Sequence, residues 1–186
     1  MTIRLIDMTL AFLGLVVGSP VLIVLWLVVR SEVRSPLFRQ ERIGRDFKPF
    51  VLVKFRTMVL GTESKPTHHV DKRALTSCGG FLRRTKLDEF PQLWNVLRGE
   101  MSLVGPRPCL CDQTELIAER AQRGVFDARP GVTGLAQIKG IDMSTPQLLA
   151  ETDAQMLKQL NVIQYFNYIL LTLLGKGFSD RLQEPL

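Results

Sequence analysis

Thr85-Lys86-Leu87-Asp88-Glu89-Phe90-Pro91-Gln92-Leu93-Trp94-Asn95-Val96-Leu97-Arg98-Gly99 reads as the start, body and stop of one helix. Thr85 and Asp88 have the spacing of a capping box, and Pro91 suits a first helical turn. Phe90, Leu93, Trp94 and Leu97 recur at helical spacing, and Gly99 is a natural stop. Asp88 and Glu89 are thereby placed at or near a helix N-terminus, with Arg83 and Arg84 just upstream. The helix dipole and nearby arginines favour ionised carboxylates there. Such a pair serves either as a routine cap or as a metal ligand and nucleophile, and the helix alone does not decide between them.

Upstream of this helix, Phe50-Val51-Leu52-Val53-Lys54-Phe55-Arg56-Thr57-Met58 alternates like a strand. Leu52, Lys54 and Arg56 share one face, and Val51, Val53 and Phe55 share the other. Two cations on one face of an apolar strand suit a phosphate, or else a solvated strand end. The segment 61–72 is polar and carries Pro66, His68 and His69, so it reads as an exposed loop in which the histidines have no assigned role. Downstream, prolines on both sides of Arg107 in Val104-Gly105-Pro106-Arg107-Pro108 stiffen its backbone and suit it to clamp an anion. A second turn follows at Arg129-Pro130-Gly131-Val132-Thr133-Gly134. Residues 112–123 read as an exposed helix and 146–159 as an amphipathic one. Residues 162–174 are apolar, with Tyr165, Phe166 and Tyr168 near the start. They are too few to span a bilayer and fit either a membrane interface or the core.

The N-terminus decides where the chain works. Residues 8–29 carry no charge, and 22 helical residues extend about 33 Å, enough to cross a bilayer. Ser19-Pro20 follows Gly18 at the middle of the run. Proline removes a helical hydrogen bond, and a neighbouring serine hydroxyl can take the freed carbonyl. Arg4 precedes the run, and Arg30, Arg34, Arg39 and Arg42 follow it, so positive charge favours the cytoplasmic side at both ends. Either a plain spanning helix or one that enters and leaves by the same face satisfies these features.

Bulk composition agrees with one globular unit on a membrane anchor. The 186 residues are 46% hydrophobic with a net charge of +6, and the basic residues are scattered singly. This pattern disfavours a nucleic-acid module and favours an anionic membrane or a phosphorylated substrate. Cys78, Cys109 and Cys111 are odd in number and lack zinc-site spacing, so free thiols in a reducing cytosol are expected.

Three stretches together resemble the bacterial sugar transferase family, the monotopic phosphoglycosyl transferases that initiate O-antigen, capsule and N-glycan assembly. They are residues 54–58, residues 87–108, and 129–137 (Arg129-Pro130-Gly131-Val132-Thr133-Gly134-Leu135-Ala136-Gln137). The resemblance implies an α/β, mostly helical single catalytic domain, residues 31–186, behind a re-entrant membrane helix, residues 1–30, broken at Ser19-Pro20. It implies interfacial amphipathic helices and a bacterial inner-membrane location, with the catalytic domain on the cytoplasmic face. It also implies a UDP-sugar donor, undecaprenyl phosphate as acceptor, membrane lipid as a partner and a possible homodimer. Asp88 and Glu89 match the catalytic dyad, with Asp88 as nucleophile and Mg²⁺ contact. Lys54, Arg83 and Arg107 match phosphate-associated positions, and Arg56, Arg129 and Gln137 join them as substrate-binding candidates.

The chain departs from the family pattern at four places. Phe90 stands where leucine is common, and Ile138-Lys139-Gly140-Ile141 lacks an arginine. Met156 replaces a tyrosine, and Tyr165 replaces an aspartate. Two rival functions are a non-catalytic anchor for anionic lipid or a partner, and a glycosyltransferase that moves sugar without phosphate.

Overall fold

The computed structural model describes residues 2–59, 61 and 74–176. The expected loop and its two histidines lie outside the described residues, apart from Gly61. The fold is mostly helical with two small sheets. Helix α1, Thr2–Glu32, leads into a hairpin of β1, Leu37–Ile43, and β2, Pro49–Phe55. The hairpin register runs from Leu37 opposite Phe55 to Ile43 opposite Pro49. Helices α2, Gly79–Thr85, and α3, Gln92–Arg98, follow. Two short strands, β3, Ser102–Val104, and β4, Gly131–Thr133, pair in parallel with α4, Thr114–Gln122, between them. Three helices close the chain: α5, Leu135–Ile138; α6, Pro146–Gln159; and α7, Val162–Leu173.

Helix α1 is long and apolar enough to cross a membrane. It runs unbroken through Pro20, where a break was expected. The reason is local. Pro20 has no N–H for the Val16 carbonyl four residues back, and the Ser19 hydroxyl donates to that carbonyl at 2.8 Å. One face of α1 packs along the rest of the chain. Ile3, Ile6 and Leu10 join a cluster around Tyr165 and Tyr168, and Ala11 joins Phe50, Leu52 and Val96. Val29 and Val33 pack with Phe55 and Leu82. The other face, including Phe12, Val17 and Val24, is exposed.

Charged groups fasten the N-terminal end of α1. Buried Asp7 accepts from the Ser102 hydroxyl at 2.9 Å, the Leu103 N–H at 2.8 Å and the Tyr165 hydroxyl at 2.6 Å. Arg4 donates to the carbonyls of Val96 and Leu97 in the last turn of α3, the former also accepting from the Gly99 N–H. Gly14 and Gly18 let α1 approach α3. A Cβ at Gly18 would lie 2.6 Å from the Phe90 ring, and one at Gly14 would lie 2.9 Å from Leu93.

Several details differ from expectation. Thr85 is no N-cap: its hydroxyl donates back to Phe81 and Leu82 inside α2, a last-turn arrangement. Residues 112–123 do not form a fully exposed helix, since Leu116 and Arg120 of α4 are buried. Helix α7 serves both alternatives that its sequence left open. Tyr165 and Tyr168 face the core, while Ile163, Phe166, Leu170 and Leu173 form an exposed apolar stripe.

Candidate active site

Asp88 and Glu89 lie in a single 3₁₀ turn, Leu87–Glu89, between α2 and α3. Lys86 ends α2 in the left-handed region at φ 57°, an uncommon conformation for a non-glycine residue. That residue reverses the chain so that the acidic pair precedes α3. The α3 helix begins at Gln92 and stops at Gly99, whose φ of 86° suits glycine at a helix end. Asp88 is buried at 6% exposure.

Four cations from four segments surround the pair. Lys54 comes from β2, Arg42 from β1, Arg83 from α2 and Arg107 from the loop after β3. Arg42, Lys54, Glu89, Gln92 and Arg107 line one polar pocket, closed below by Leu52 and Val132. Arg107 Nη1 lies 3.6 Å from Glu89 Oε1. Arg83 donates through Nε to the Thr57 hydroxyl at 2.9 Å, and its Nη1 is buried without a hydrogen-bond partner. Arg42 donates to the Pro108 carbonyl and to Gln40 Oε1, while its Nε is likewise buried without one. Buried N–H groups of this kind are costly unless something accepts from them.

The electrostatics follow from that crowding. Burial pushes the Lys54 ammonium down from 10.5 to about 8. Asp88 pulls it back up, and Arg83, Arg107 and Arg42 push it further down. Burial, then Arg107, lowers Arg42 to about 10. The site therefore carries more positive charge than it neutralises, which is the condition for holding a polyanion.

The two glycine-rich turns meet for a steric reason. A Cβ on Gly131 would stand 2.0 Å from the Gly105 nitrogen, so both positions must be bare where the strands β3 and β4 touch. This contact brings the Arg107 loop beside Gly131 and Val132 in the pocket wall.

Of the residues singled out from sequence, Lys54, Arg83, Asp88, Glu89 and Arg107 come together. Lys54 and Arg56 do share a face, lying 5.4 and 5.5 Å from the Phe38 ring. Arg56, however, donates to the carbonyls of Ser35 and Leu37 and does not line the polar pocket. Arg129 donates to the Gly99 carbonyl at the end of α3. Gln137 is buried beside Gly134 with both amide atoms unpartnered. Arg42 was missed. Its signal was available: it stands two positions after Gln40 on the same strand face, and Lys54 lies on the neighbouring strand.

A second, apolar groove of about 720 Å³ runs between α1, the hairpin and α3, with Leu22, Trp26, Val53 and Trp94 in its walls. It shares no lining residue with the polar pocket. Asn95 separates them, stitching α3 to the edge of β2 through the Val53 N–H at 3.1 Å and the Val51 carbonyl at 2.8 Å. Of the acidic pair, Glu89 lines the polar pocket together with Arg42, Lys54 and Arg107, whereas no acidic residue lines the apolar groove.

The bacterial sugar transferase family matches residues 1–176. The chain belongs to this family. It is thus an enzyme, a sugar transferase. It is 44% identical over 182 residues to the uncharacterized sugar transferase EpsL of Bacillus subtilis, covering 97% of this chain and 90% of that one. It is 34% identical over 154 residues to the undecaprenyl-phosphate galactose phosphotransferase of Salmonella typhimurium, covering 74% of this chain and 32% of that one. It is 36% identical over 185 residues to the UDP-glucose:undecaprenyl-phosphate glucose-1-phosphate transferase of Escherichia coli, covering 94% and 40%. The chain therefore spans nearly all of the first relative but well under half of the other two.

Proposed function

We propose that the protein transfers a phosphosugar from a UDP-sugar to undecaprenyl phosphate, through a covalent intermediate on Asp88. The observation that carries this reading is the convergence of Arg42, Lys54, Arg83 and Arg107 on the buried Asp88 and the half-buried Glu89. A binding site for an anion needs the cations alone. The carboxylates add a nucleophile, and phosphoryl transfer otherwise demands mainly positioning and charge neutralisation.

In the first step an Asp88 oxygen attacks the sugar-side phosphorus, the bond to the bridging oxygen breaks, and UMP leaves with the electron pair. In the second, an oxygen of undecaprenyl phosphate attacks the same phosphorus and expels the Asp88 carboxylate. The product is a polyprenol diphosphosugar. Arg107, Arg83, Arg42 and Lys54 bind the phosphate oxygens, and Glu89, paired with Arg107, orients the clamp.

The acidic pair also fits Mg²⁺. Among the described residues no cluster of three or more His, Cys, Asp or Glu side chains exists. Magnesium is commonly held by one or two carboxylates plus substrate phosphates and water. Asp88, with Glu89 beside it, would supply the protein ligands, and the ion would neutralise charge on the diphosphate oxygens.

The membrane arrangement belongs to the same proposal. Arg4 and Asp7 fasten one end of α1 to the globular body, and Val29 and Val33 fasten the other. Both ends therefore belong on the body's side of the bilayer, and a bend at Ser19-Pro20 in lipid would let the helix, continuous in this structure, enter and leave by the cytoplasmic face of the inner membrane. The exposed stripe of α7 supplies an interfacial contact with lipid.

The test omits the acceptor. Enzyme, Mg²⁺ and a panel of UDP-sugars should give a phosphosugar adduct on Asp88 by intact-protein and peptide mass spectrometry, with release of UMP. Undecaprenyl phosphate should discharge it, and Asp88→Asn should abolish both adduct and turnover. UMP release that requires the acceptor, with no adduct, removes the covalent step. Release of UDP in place of UMP removes phosphosugar transfer altogether.

A further inference from the structure

The loop that presents Arg107 cannot hold itself in place. Pro106 and Pro108 have no N–H to donate, so the loop is fastened through its carbonyls. Four in succession are each taken by a different donor. The Gly131 N–H bonds the Pro106 carbonyl at 2.8 Å, and Arg120 Nη1 bonds the Arg107 carbonyl at 2.8 Å. Arg42 Nη1 bonds the Pro108 carbonyl at 2.9 Å, and the Ile43 N–H bonds the Cys109 carbonyl at 3.1 Å.

Three of these donors have other reasons to be there. Gly131 and Ile43 use backbone groups, and Arg42 lines the pocket itself. Arg120 does neither. It stands on α4 at 2% exposure, and it is not among the residues that line the polar pocket. Its Nε and Nη2 both donate to Asp153 Oδ2, at 3.0 and 2.6 Å, and Asp153 on α6 is fully buried. With that edge of the guanidinium fixed by Asp153, Nη1 is aimed at the Arg107 carbonyl, while the guanidinium also hydrogen-bonds the Cys109 thiol. Buried ion pairs are often replaceable by packed apolar side chains without loss of stability, so holding α4 to α6 does not by itself require this one. What apolar side chains cannot supply is the bond to the Arg107 carbonyl.

We propose that Arg120, oriented by Asp153, is a positioning residue for Arg107. It touches no substrate. It fixes the backbone from which the Arg107 guanidinium reaches Glu89 and the phosphate pocket, and so makes α4 and α6 part of the catalytic apparatus. The proposal rests on the reading of Arg107 as the phosphate clamp.

A double-mutant cycle on the full-length protein tests it, with UMP release from UDP-sugar as the readout. The first variant replaces the pair by apolar residues, Arg120→Met with Asp153→Leu. The second, Arg120→Lys, keeps a cation beside Asp153 but lacks the planar fork that serves two acceptors at once. Each is made in wild-type and Arg107→Ala backgrounds. In the wild-type background kcat/KM should fall more than about tenfold, the scale of one displaced charge-assisted contact, while the melting temperature holds. In the Arg107→Ala background the same change should cost less than about twofold more, because the group being positioned is gone. Equal losses in both backgrounds, or wild-type kinetics in the first, overturn the proposal. Should the apolar pair fail to fold, the Arg120→Lys cycle is read by the same criteria. Near-wild-type kinetics for Arg107→Ala alone would instead remove the clamp reading on which the proposal stands.

Discussion

Replacing Lys54 by methionine should make the substrate-free protein more stable and a poorer binder of its donor. Burial and three arginines lower Lys54 from 10.5 to about 8, against the pull of Asp88. A drop of about 2.5 pH units corresponds to roughly 3 kcal/mol set against the charged form. Methionine keeps the unbranched stem and drops the charge. It also gives up the ammonium over the Phe38 ring, at 5.4 Å, a contact of about 0.5–1 kcal/mol. The net gain is about 2 kcal/mol near neutral pH. Because the folded-state value lies below the unfolded one, the unfolded chain binds more protons between about pH 8 and 10.5. The penalty on the wild type is therefore complete below about pH 8 and fades as pH rises to 10.5. The advantage of Lys54→Met should shrink over that same window. UDP should meanwhile raise the melting temperature of the wild type more than that of the variant, since the ammonium is worth most when an anion faces it. The assay is thermal unfolding of the full-length protein in detergent at pH 7 and pH 10, with and without UDP. A methionine variant that melts below wild type at pH 7, or whose advantage grows with pH, refutes the electrostatic account of the site.

Gly18→Ala should destabilise by about 1–3 kcal/mol, because its Cβ would stand 2.6 Å from the Phe90 ring, and Phe90→Leu in the same chain should restore most of the melting temperature. A Gly18→Ala protein with wild-type stability would show that α1 and α3 do not pack this closely. Asp7→Ala leaves the Ser102 hydroxyl, the Leu103 N–H and the Tyr165 hydroxyl without their acceptor, at about 1–3 kcal/mol for each buried group left unsatisfied. Limited proteolysis should then cut near residue 2 faster than in wild type, and an unchanged cleavage rate would mean that Asp7 does not anchor the helix.

The parts of the fold that could be read from sequence were those with local causes. Residues 146–159 gave α6 through amphipathic spacing, the apolar run 162–174 gave α7, and Gly99 stopped α3 where expected. The hydrophobic N-terminal run was equally legible, as was the Ser19 hydroxyl taking the carbonyl that Pro20 frees, since both act within one turn, but the break expected at Ser19-Pro20 is absent. What escaped were effects made by distant partners. Thr85 looked like a cap because its spacing to Asp88 is local, yet α2 had already claimed its hydroxyl. Arg120 sat in a polar stretch and looked solvated. Only the approach of Asp153, thirty-three positions away, makes its burial tolerable. Arg56 shared a strand face with Lys54, but its partners are the carbonyls of the chain entering the hairpin. Side-chain direction is a local property, whereas the acceptor that a cation finds is a tertiary one.

The contacts of α1 bear on why an acidic pair should work beside a membrane helix at all. Helix α3 follows directly from Asp88 and Glu89, and its C-terminal carbonyls are held by Arg4 from α1 and, through Gly99, by Arg129. Its side facing α1 meets Gly14 through Leu93, and Phe90, just ahead of it, meets Gly18. The two residues after Leu87 thus lie between a helix whose outer face is apolar and a loop whose carbonyls are fixed on four sides. A shift of α1 would reach Glu89 through Phe90, its immediate neighbour, without passing through any mobile linker. An anchor joined by a flexible tether would leave the depth of the site undefined. A helix packed with its glycines against Phe90 and Leu93 fixes that depth to the helix itself, so in the proposed reaction the membrane would set the height at which a lipid-borne phosphate meets Asp88.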